Sequence, residues 1–164
     1  MVGTVTVIGA GVIGGAIVKC LIKSKKTESV IATRRNLETL IPLADLGANI
    51  SDNNQVAARE AEVVFICVKP NDIEQVLNEI KEEIEGKLVI STAAVIPIAS
   101  LEAIMPKARY VRTMPNIAAM VGESFTAYTM GSTTLLEDKT TAEILLSTMG
   151  TCMEIEEKYM DAVT

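Results

Sequence analysis

The chain has 164 residues, 49% of them apolar, with 15 Lys and Arg against 21 Asp and Glu, a formal charge of −6. This size and composition exclude disorder and are enough for a domain with a real core, while the acidic balance argues against a general nucleic-acid binder, which needs a basic surface. The sequence contains no histidine, so every mechanism that needs a His base or ligand is excluded within it.

Short β-rich runs alternate with helical patterns along the chain. Thr4–Ile8 reads as a first strand, Val12–Ser24 as a helix and Ser29–Thr33 as a second strand. Leu37–Leu46 is expected to be helical and to stop at Gly47, a usual helix-ending residue. Ala48–Ile50 is a weak third strand, and Asn53–Glu60 a short helix. Val63–Val68 is a continuous apolar run, as expected for a strand covered on both faces. Asp72–Glu83 reads as a helix capped by Asn71 or Asp72, followed by a strand at Leu88–Ser91 and a helix at Ile98–Ile104. Tyr110–Thr113, Thr126–Met130 and Thr151–Ile155 read as further strands, with a helix at Leu136–Thr148.

This alternation implies βαβ units and right-handed crossovers. The expected fold class is therefore α/β: a doubly wound, Rossmann-like, mostly parallel sheet with helices on both faces. Residues 1–155 are expected to form the domain. The stretch "EEKYMDAVT" starts what reads as a new helix and stops at Thr164 without a terminating signal. Residues 156–164 are thus expected to begin a truncated helical region.

Cys20, Cys67 and Cys152 are widely spaced and odd in number, so neither a metal site nor a disulfide framework is expected. No targeting segment precedes the first strand, and the apolar runs are too short to cross a bilayer. The expected setting is soluble and cytoplasmic.

"VIGAGVIGGAI" puts Gly9, Gly11 and Gly14 in a G-x-G-x-x-G pattern. The pattern gains its meaning by following a strand and opening a helix. Gly9 permits the tight turn, Gly11 lets the backbone approach a pyrophosphate, and Gly14 lets helix and strand pack closely. The helix N-terminus favours negative charge. The second strand then ends in Thr33, Arg34, Arg35 and Asn36, where an NAD-binding domain usually carries an acid for the ribose 2′-OH. Arginine instead offers a planar fork of donors to a 2′-phosphate, and Thr33 a hydroxyl. The expected cofactor is NADP(H), with Arg34 the principal reader because it comes first after the strand.

Ligands in such folds bind beyond the carboxyl ends of the strands. "CVKP" (Cys67, Val68, Lys69, Pro70), "STAAV" (ending in Ala93, Ala94, Val95) and "RTMPN" (ending in Asn116) should therefore line one crevice. Ala93 and Ala94 would let a flat ring approach, and Asn116 offers a donor and an acceptor. Lys69 could donate a proton, or could equally be a structural or cofactor-contacting charge. The acid-rich Glu74–Glu85 stretch reads as a solvated helix face.

The stretches "IGAGVIGGAI", "VVFICVKP", "STAAVIPIASLE", "VRTMPNIAAMVGES" and "EEKYMDAVT" cover nearly the whole chain. In that order and spacing the chain resembles the N-terminal domain of the pyrroline-5-carboxylate reductases. The resemblance implies NADPH-dependent reduction of 1-pyrroline-5-carboxylate to L-proline. It also implies that Ile8, Gly9, Ala10, Gly11, Val12 and Ile13 carry the pyrophosphate, with Arg34 and Asn36 near the adenosine phosphate and Asn54 at the adenosine ribose. Cys67–Pro70, Ala93–Val95 and Asn116 would line the ribose and nicotinamide.

Two departures stand out. The family usually has glycine where this chain has Val95. The family also continues into a helical region that holds much of the substrate site and the dimer interface. The catalytic proton donor is thus unassigned, this chain is expected to be inactive alone, and homodimers or larger homo-oligomers are expected of the longer form. The competing readings are a non-catalytic NADP(H)-sensing module, an F420-dependent NADP reductase and an imine reductase.

Overall fold

Runs rich in valine, isoleucine and threonine form the centre of the protein. In the computed structural model, which describes residues 1–163, eight strands make one sheet: β1 (Val2–Ile8), β2 (Thr27–Thr33), β3 (Asn49–Ser51), β4 (Val63–Ile66), β5 (Leu88–Ser91), β6 (Arg109–Met114), β7 (Ser124–Met130) and β8 (Gly150–Glu154). Thr164, the last residue of "DAVT", lies outside the described residues.

The strand order is β3-β2-β1-β4-β5-β6-β7-β8. Neighbours from β3 to β6 run parallel, β7 is antiparallel to β6, and β8 is parallel to β7. The chain winds outward from β1 through β2 to β3, then returns to place β4 on the other side of β1. The order reverses between β1 and β4, where a crevice opens beyond the strand ends.

Among the described residues six α-helices cover the faces: α1 (Val12–Ser24), α2 (Ile41–Ala44), α3 (Asn54–Glu60), α4 (Ile73–Ile80), α5 (Ile98–Ile104) and α6 (Leu136–Leu146). Alternation along the strands divides the core in two. On one face Val5, Val7, Phe65 and Ile90 meet Ile17 and Leu21 of α1, Leu43 of α2 and Leu145 of α6. On the other, Val64, Ile66 and Val89 meet Ala58 of α3, Leu77 of α4 and Leu101 of α5. Each fully buried Leu, Ile or Phe side chain contributes about 1.5–3 kcal/mol relative to exposure.

Several element ends differ from the sequence expectation. The expected helix at 37–46 is a 3-10 turn (Leu37–Leu40) followed by the single turn of α2. Pro42 has no N–H to give to a preceding turn, so it is accommodated in the first turn of α2 and breaks the longer helix there. The apolar run at 63–68 leaves the sheet after Ile66, and Cys67 and Val68 enter the loop. The helix expected to start at Asp72 is preceded by a 3-10 turn over Pro70–Asp72 and ends at Ile80, and Asp72 makes no side-chain capping bond. Residues 157–163 form 3-10 turns rather than an α-helix.

Two cationic side chains tie the later elements together. Arg109 of β6 holds Asp138 of α6 through Nε–Oδ2 (2.7 Å) and Nη2–Oδ1 (3.0 Å), and also donates to the Gly86 carbonyl. Asp138 is buried, and its Oδ2 also accepts the Leu135 amide at 2.7 Å. Arg112 of β6 pairs with Glu157 (3.3 Å) and Asp161 (2.7 Å), and Glu157 accepts the first amide of α5, from Ile98, at 2.7 Å. The closing turns are thereby fastened beside β6, with Met160 buried against Met114 and Ala127.

Candidate nucleotide-binding site

The loop between β1 and α1 forms one side of the crevice. Gly9 has φ +83°, and a Cβ there would sit 2.8 Å from Val68 Cγ1 and 3.0 Å from the Cys67 backbone. At Gly14 a Cβ would come within 2.5 Å of the Gly9 carbonyl oxygen and 3.2 Å of Cys67 Cβ. Both positions need glycine for the protein's own packing. Gly11 does not: a Cβ there would meet only the Gly9 carbonyl oxygen, at 4.0 Å. Its bare backbone therefore leaves room for something other than the chain.

That room lies at an uncapped helix end. Gly11 caps α1 without a side-chain hydrogen bond, and the first turn carries no acid. The opening amides of an α-helix have no intrahelical acceptor, and the macrodipole adds positive potential there. The 13-residue α1 thus offers free donors to an anion above Gly11.

The neighbouring loops are bonded to one another along the rim. The amides of Gly9 and Ala10 donate to the Thr33 carbonyl at 3.2 and 3.0 Å. The Cys67 amide donates to Ile8 (2.8 Å), and the Thr92 amide to Ile66 (3.0 Å). The stretches 8–14, 33–36, 67–70 and 92–95 therefore form one rim at the strand ends.

A cavity of about 360 Å3 opens on the β2 side of this rim. Ala10, Gly11, Val12 and Arg34 line it, with Gly15, Ala16, Lys19 and Met120. Arg34 is exposed, and among the described residues it has no ion-pair partner. Arg35 is also exposed but does not line the cavity. Lys19 and Met120 escaped the sequence reading. The spacing Val12, Gly15, Ala16, Lys19 does mark one stripe of α1, a signal that could have found Lys19. Met120 comes from the turn after β6, and no local pattern brings it there.

A larger cavity of about 590 Å3 shares Lys19 and Met120 but lies along the far part of α1, lined also by Lys23, Lys26, Ser147 and Thr148. It is away from the glycine loop. Of its lysines, Lys23 lies in the last turn of α1, whose carbonyl end cations favour.

Thr33, expected to aim its hydroxyl at a phosphate, is buried and donates instead to Asn54 Oδ1 at 2.6 Å. Asn54 Nδ2 reaches Glu79 Oε2 at 3.2 Å, which leaves the amide one free N–H. The Asn36 side chain accepts the Glu38 amide at 3.0 Å, and its own NH2 stays available.

On the β4–β5 side, Lys69 is exposed and Pro70 half-buried. Burial pushes the Cys67 thiol up to about 12, against a smaller opposing effect of its hydrogen bond with Thr92. It stays protonated at neutral pH, which rules it out as a thiolate nucleophile. Ala93 is buried and Ala94 half-buried. Val95 is 67% exposed and has φ +57°, a left-handed conformation that costs a β-branched residue about 1–3 kcal/mol. Asn116, after β6, accepts the Ala118 amide at 3.1 Å and donates to the Phe125 carbonyl at 3.4 Å.

A parallel sheet with a switch point, a glycine loop opening an uncapped helix and an arginine after the second strand define a dinucleotide-binding domain of the doubly wound α/β class. The chain belongs to the family described as NADP oxidoreductase, coenzyme F420-dependent, whose model matches residues 4–95. It is 38% identical over 162 residues to a pyrroline-5-carboxylate reductase of Methanosarcina acetivorans, covering 96% of this chain and 60% of that protein. To the enzyme of the same name from Corynebacterium melassecola it is 39% identical over 172 residues, covering 98% and 62%. The chain thus spans about 60% of the length of these relatives. The solved pyrroline-5-carboxylate reductase of Coxiella burnetii superposes with a TM-score of 0.92 at 28% identity, over 97% of this chain and 61% of that one. The Plasmodium falciparum pyrroline carboxylate reductase, solved with NADP bound, gives 0.89 at 25%, over 98% and 60%. No helix among the described residues is long and apolar enough to cross a membrane.

Proposed function

We propose that this chain is the cofactor-binding part of an NADPH-dependent reductase that converts 1-pyrroline-5-carboxylate to L-proline. The observation that carries the reading is the cavity in which Gly11 and Arg34 meet. The uncapped start of α1 would hold the pyrophosphate, and Arg34, with Lys19 across the cavity, would hold the 2′-phosphate. Asn54, fixed by Thr33, would give its remaining N–H to the adenosine ribose. The β4 and β5 loops, including Lys69 and Ala93–Val95, would take the nicotinamide half, with Asn116 beside them. Bound NADPH supplies the hydride that reduces the C=N carbon. The residues of this chain supply orientation and electrostatics.

The two named relatives at 38% and 39% identity support this choice of substrate. The family description favours a second reading, an F420-dependent NADP reductase, and NADPH oxidation by the longer form with each acceptor in turn separates the two. A cytoplasmic setting fits the three free thiols, and a homo-oligomer fits the resemblance of the longer form.

The test is calorimetric titration with NADPH and NADH, repeated on Arg34→Ala. A charged hydrogen bond of about 1.5–3 kcal/mol predicts a loss of about 10- to 100-fold for NADPH and little change for NADH. Equal affinities for the two cofactors, or an Arg34→Ala variant that binds NADPH as well as the parent, would overturn the assignment.

A further inference from the structure

We propose that the cavity of about 590 Å3 along the far part of α1 is a second anion site, which takes the phosphate chain of a small organic polyphosphate on Lys19, Lys23 and Lys26. The site stands apart from the cofactor reading above, and only its coupling to the cofactor rests on that reading.

The charge there is out of keeping with the rest of the chain. The formal charge is −6, yet four of the 15 Lys and Arg fall within the eight residues Lys19–Lys26, with no acid among them. Three of those four line the cavity, and Glu123 is the one acid on its wall, so two positive charges are left uncompensated. Lys19, Lys23 and Lys26 have no ion-pair partner among the described residues, whereas Lys107, Lys139 and Lys158 each hold a carboxylate. The pull of a helix C-terminus falls off within its last turn, so it accounts for Lys23 but not for Lys19, a turn earlier, or Lys26, beyond the helix. Like charges gathered in one hollow repel one another, and a bound anion relieves that repulsion.

The shape and the donors narrow the ligand. The lysines face a hollow closed on its other side by Val121 and Gly122 of the turn after β6 and by Ile144 and Thr148 near the end of α6. Its volume is that of pockets that hold small molecules. The hydroxyls of Ser24 and Thr148 are engaged with the Leu21 and Leu145 carbonyls, at 2.8 and 2.7 Å, so the ammonium groups are the donors on offer. Among the described residues no arginine lines the cavity, and arginine is the side chain whose planar fork matches a carboxylate. Lysine binds phosphate as a point charge, and three of them suit several phosphates in a row. Met120, Val121 and Ile144 are exposed apolar side chains on the wall, where an organic group joined to the phosphates can lie. Lys19 and Met120 also line the cavity in which Gly11 and Arg34 meet. The two sites thus share a cation, and each ligand should weaken the other by the same factor.

Inorganic tripolyphosphate and uridine triphosphate are the probes, titrated by calorimetry at about 0.15 M salt into the chain alone and into the chain saturated with NADPH. Lys23→Gln with Lys26→Gln removes two cations that line this cavity and not the cofactor's. Lys81→Gln with Lys107→Gln removes the same charge elsewhere. Both probes are expected to bind the NADPH-saturated parent, and to bind the first double variant at least about tenfold more weakly. That variant should keep its NADPH affinity within about twofold and its Tm, which excludes a folding defect, and the second should bind the probes within about twofold of the parent. Probes that bind only in the absence of NADPH would belong to the cofactor cavity and overturn the proposal. Equal losses in the two double variants would reduce the effect to net charge and overturn it too. Uridine triphosphate that fails to bind where tripolyphosphate binds would overturn the organic part. A chain that binds both probes through Lys23 and Lys26 but no NADPH would overturn the cofactor reading and leave this site standing.

Discussion

One methyl group placed in turn at Gly14 and Gly11 separates a glycine the fold needs from one the ligand needs. In Gly14→Ala the new Cβ lies 2.5 Å from the Gly9 oxygen, 3.1 Å from the Gly9 carbonyl carbon and 3.2 Å from Cys67 Cβ. Ordinary contact begins near 3.4 Å, so α1 must back away from β1 by about 0.9 Å. Overpacking costs up to ~3 kcal/mol, here ~2–3 kcal/mol because the clash is with backbone, and alanine's better helix propensity returns ~1 kcal/mol. The net loss should be ~1–2 kcal/mol, a fall in Tm of about 2–8 °C for a chain of this size. The displaced loop should also bind NADPH less well. Gly11→Ala meets almost nothing of the chain, so stability should stay within about 0.5 kcal/mol. Its methyl group stands where the pyrophosphate must come close, so NADPH affinity should fall at least about tenfold. Urea denaturation gives the first quantity and calorimetry the second. A Gly14→Ala protein as stable as the parent would refute the packing argument. A Gly11→Ala protein that binds normally would refute the assignment of the open space to a ligand.

Two further outcomes concern the scaffold. Asp138→Ala leaves Arg109 without its bidentate partner and frees the Leu135 amide, so it should cost ~3–5 kcal/mol in urea denaturation, and a loss under ~1 kcal/mol would show that the pair contributes little. Cys67 keeps its proton up to about 12 in the folded chain, while the unfolded thiol ionises near its ordinary 9.0. Its contribution is therefore complete below that ordinary value and is lost as pH rises toward 12, at no more than ~1.4 kcal/mol per pH unit. Cys67→Ala should flatten stability between about pH 9 and 11, and an unchanged slope in that range would contradict the burial argument.

What the sequence disclosed followed from local physical signals. Val12–Ser24 came out with the bounds expected, because an apolar stripe runs between a glycine loop and a lysine-rich end. The glycine motif and Arg34 were legible because each sits within a few residues of the strand that places it. The 37–46 region was misjudged because its apolar spacing outweighed Pro42. Thr33 was assigned outward when strand alternation turns it inward to Asn54, 21 residues on. Lys19 and Met120 meet Arg34 only after the crossovers are made, and no window of local sequence holds all three. The left-handed backbone at Val95 was invisible from composition, since valine ordinarily argues against it.

The bonds that link the strand-end loops from Thr33 through Ile8 to Ile66 bear on the kinetics of capture. A rim already ordered has little conformational entropy left to lose, so a ligand's arrival requires no slow rearrangement of the protein. Association should then be governed by diffusion and by attraction to Arg34 and Lys19, and should slow as ionic strength rises. Discrimination between ligands of like charge would fall to residence time: those that lack the matching ring arrive almost as often and leave sooner.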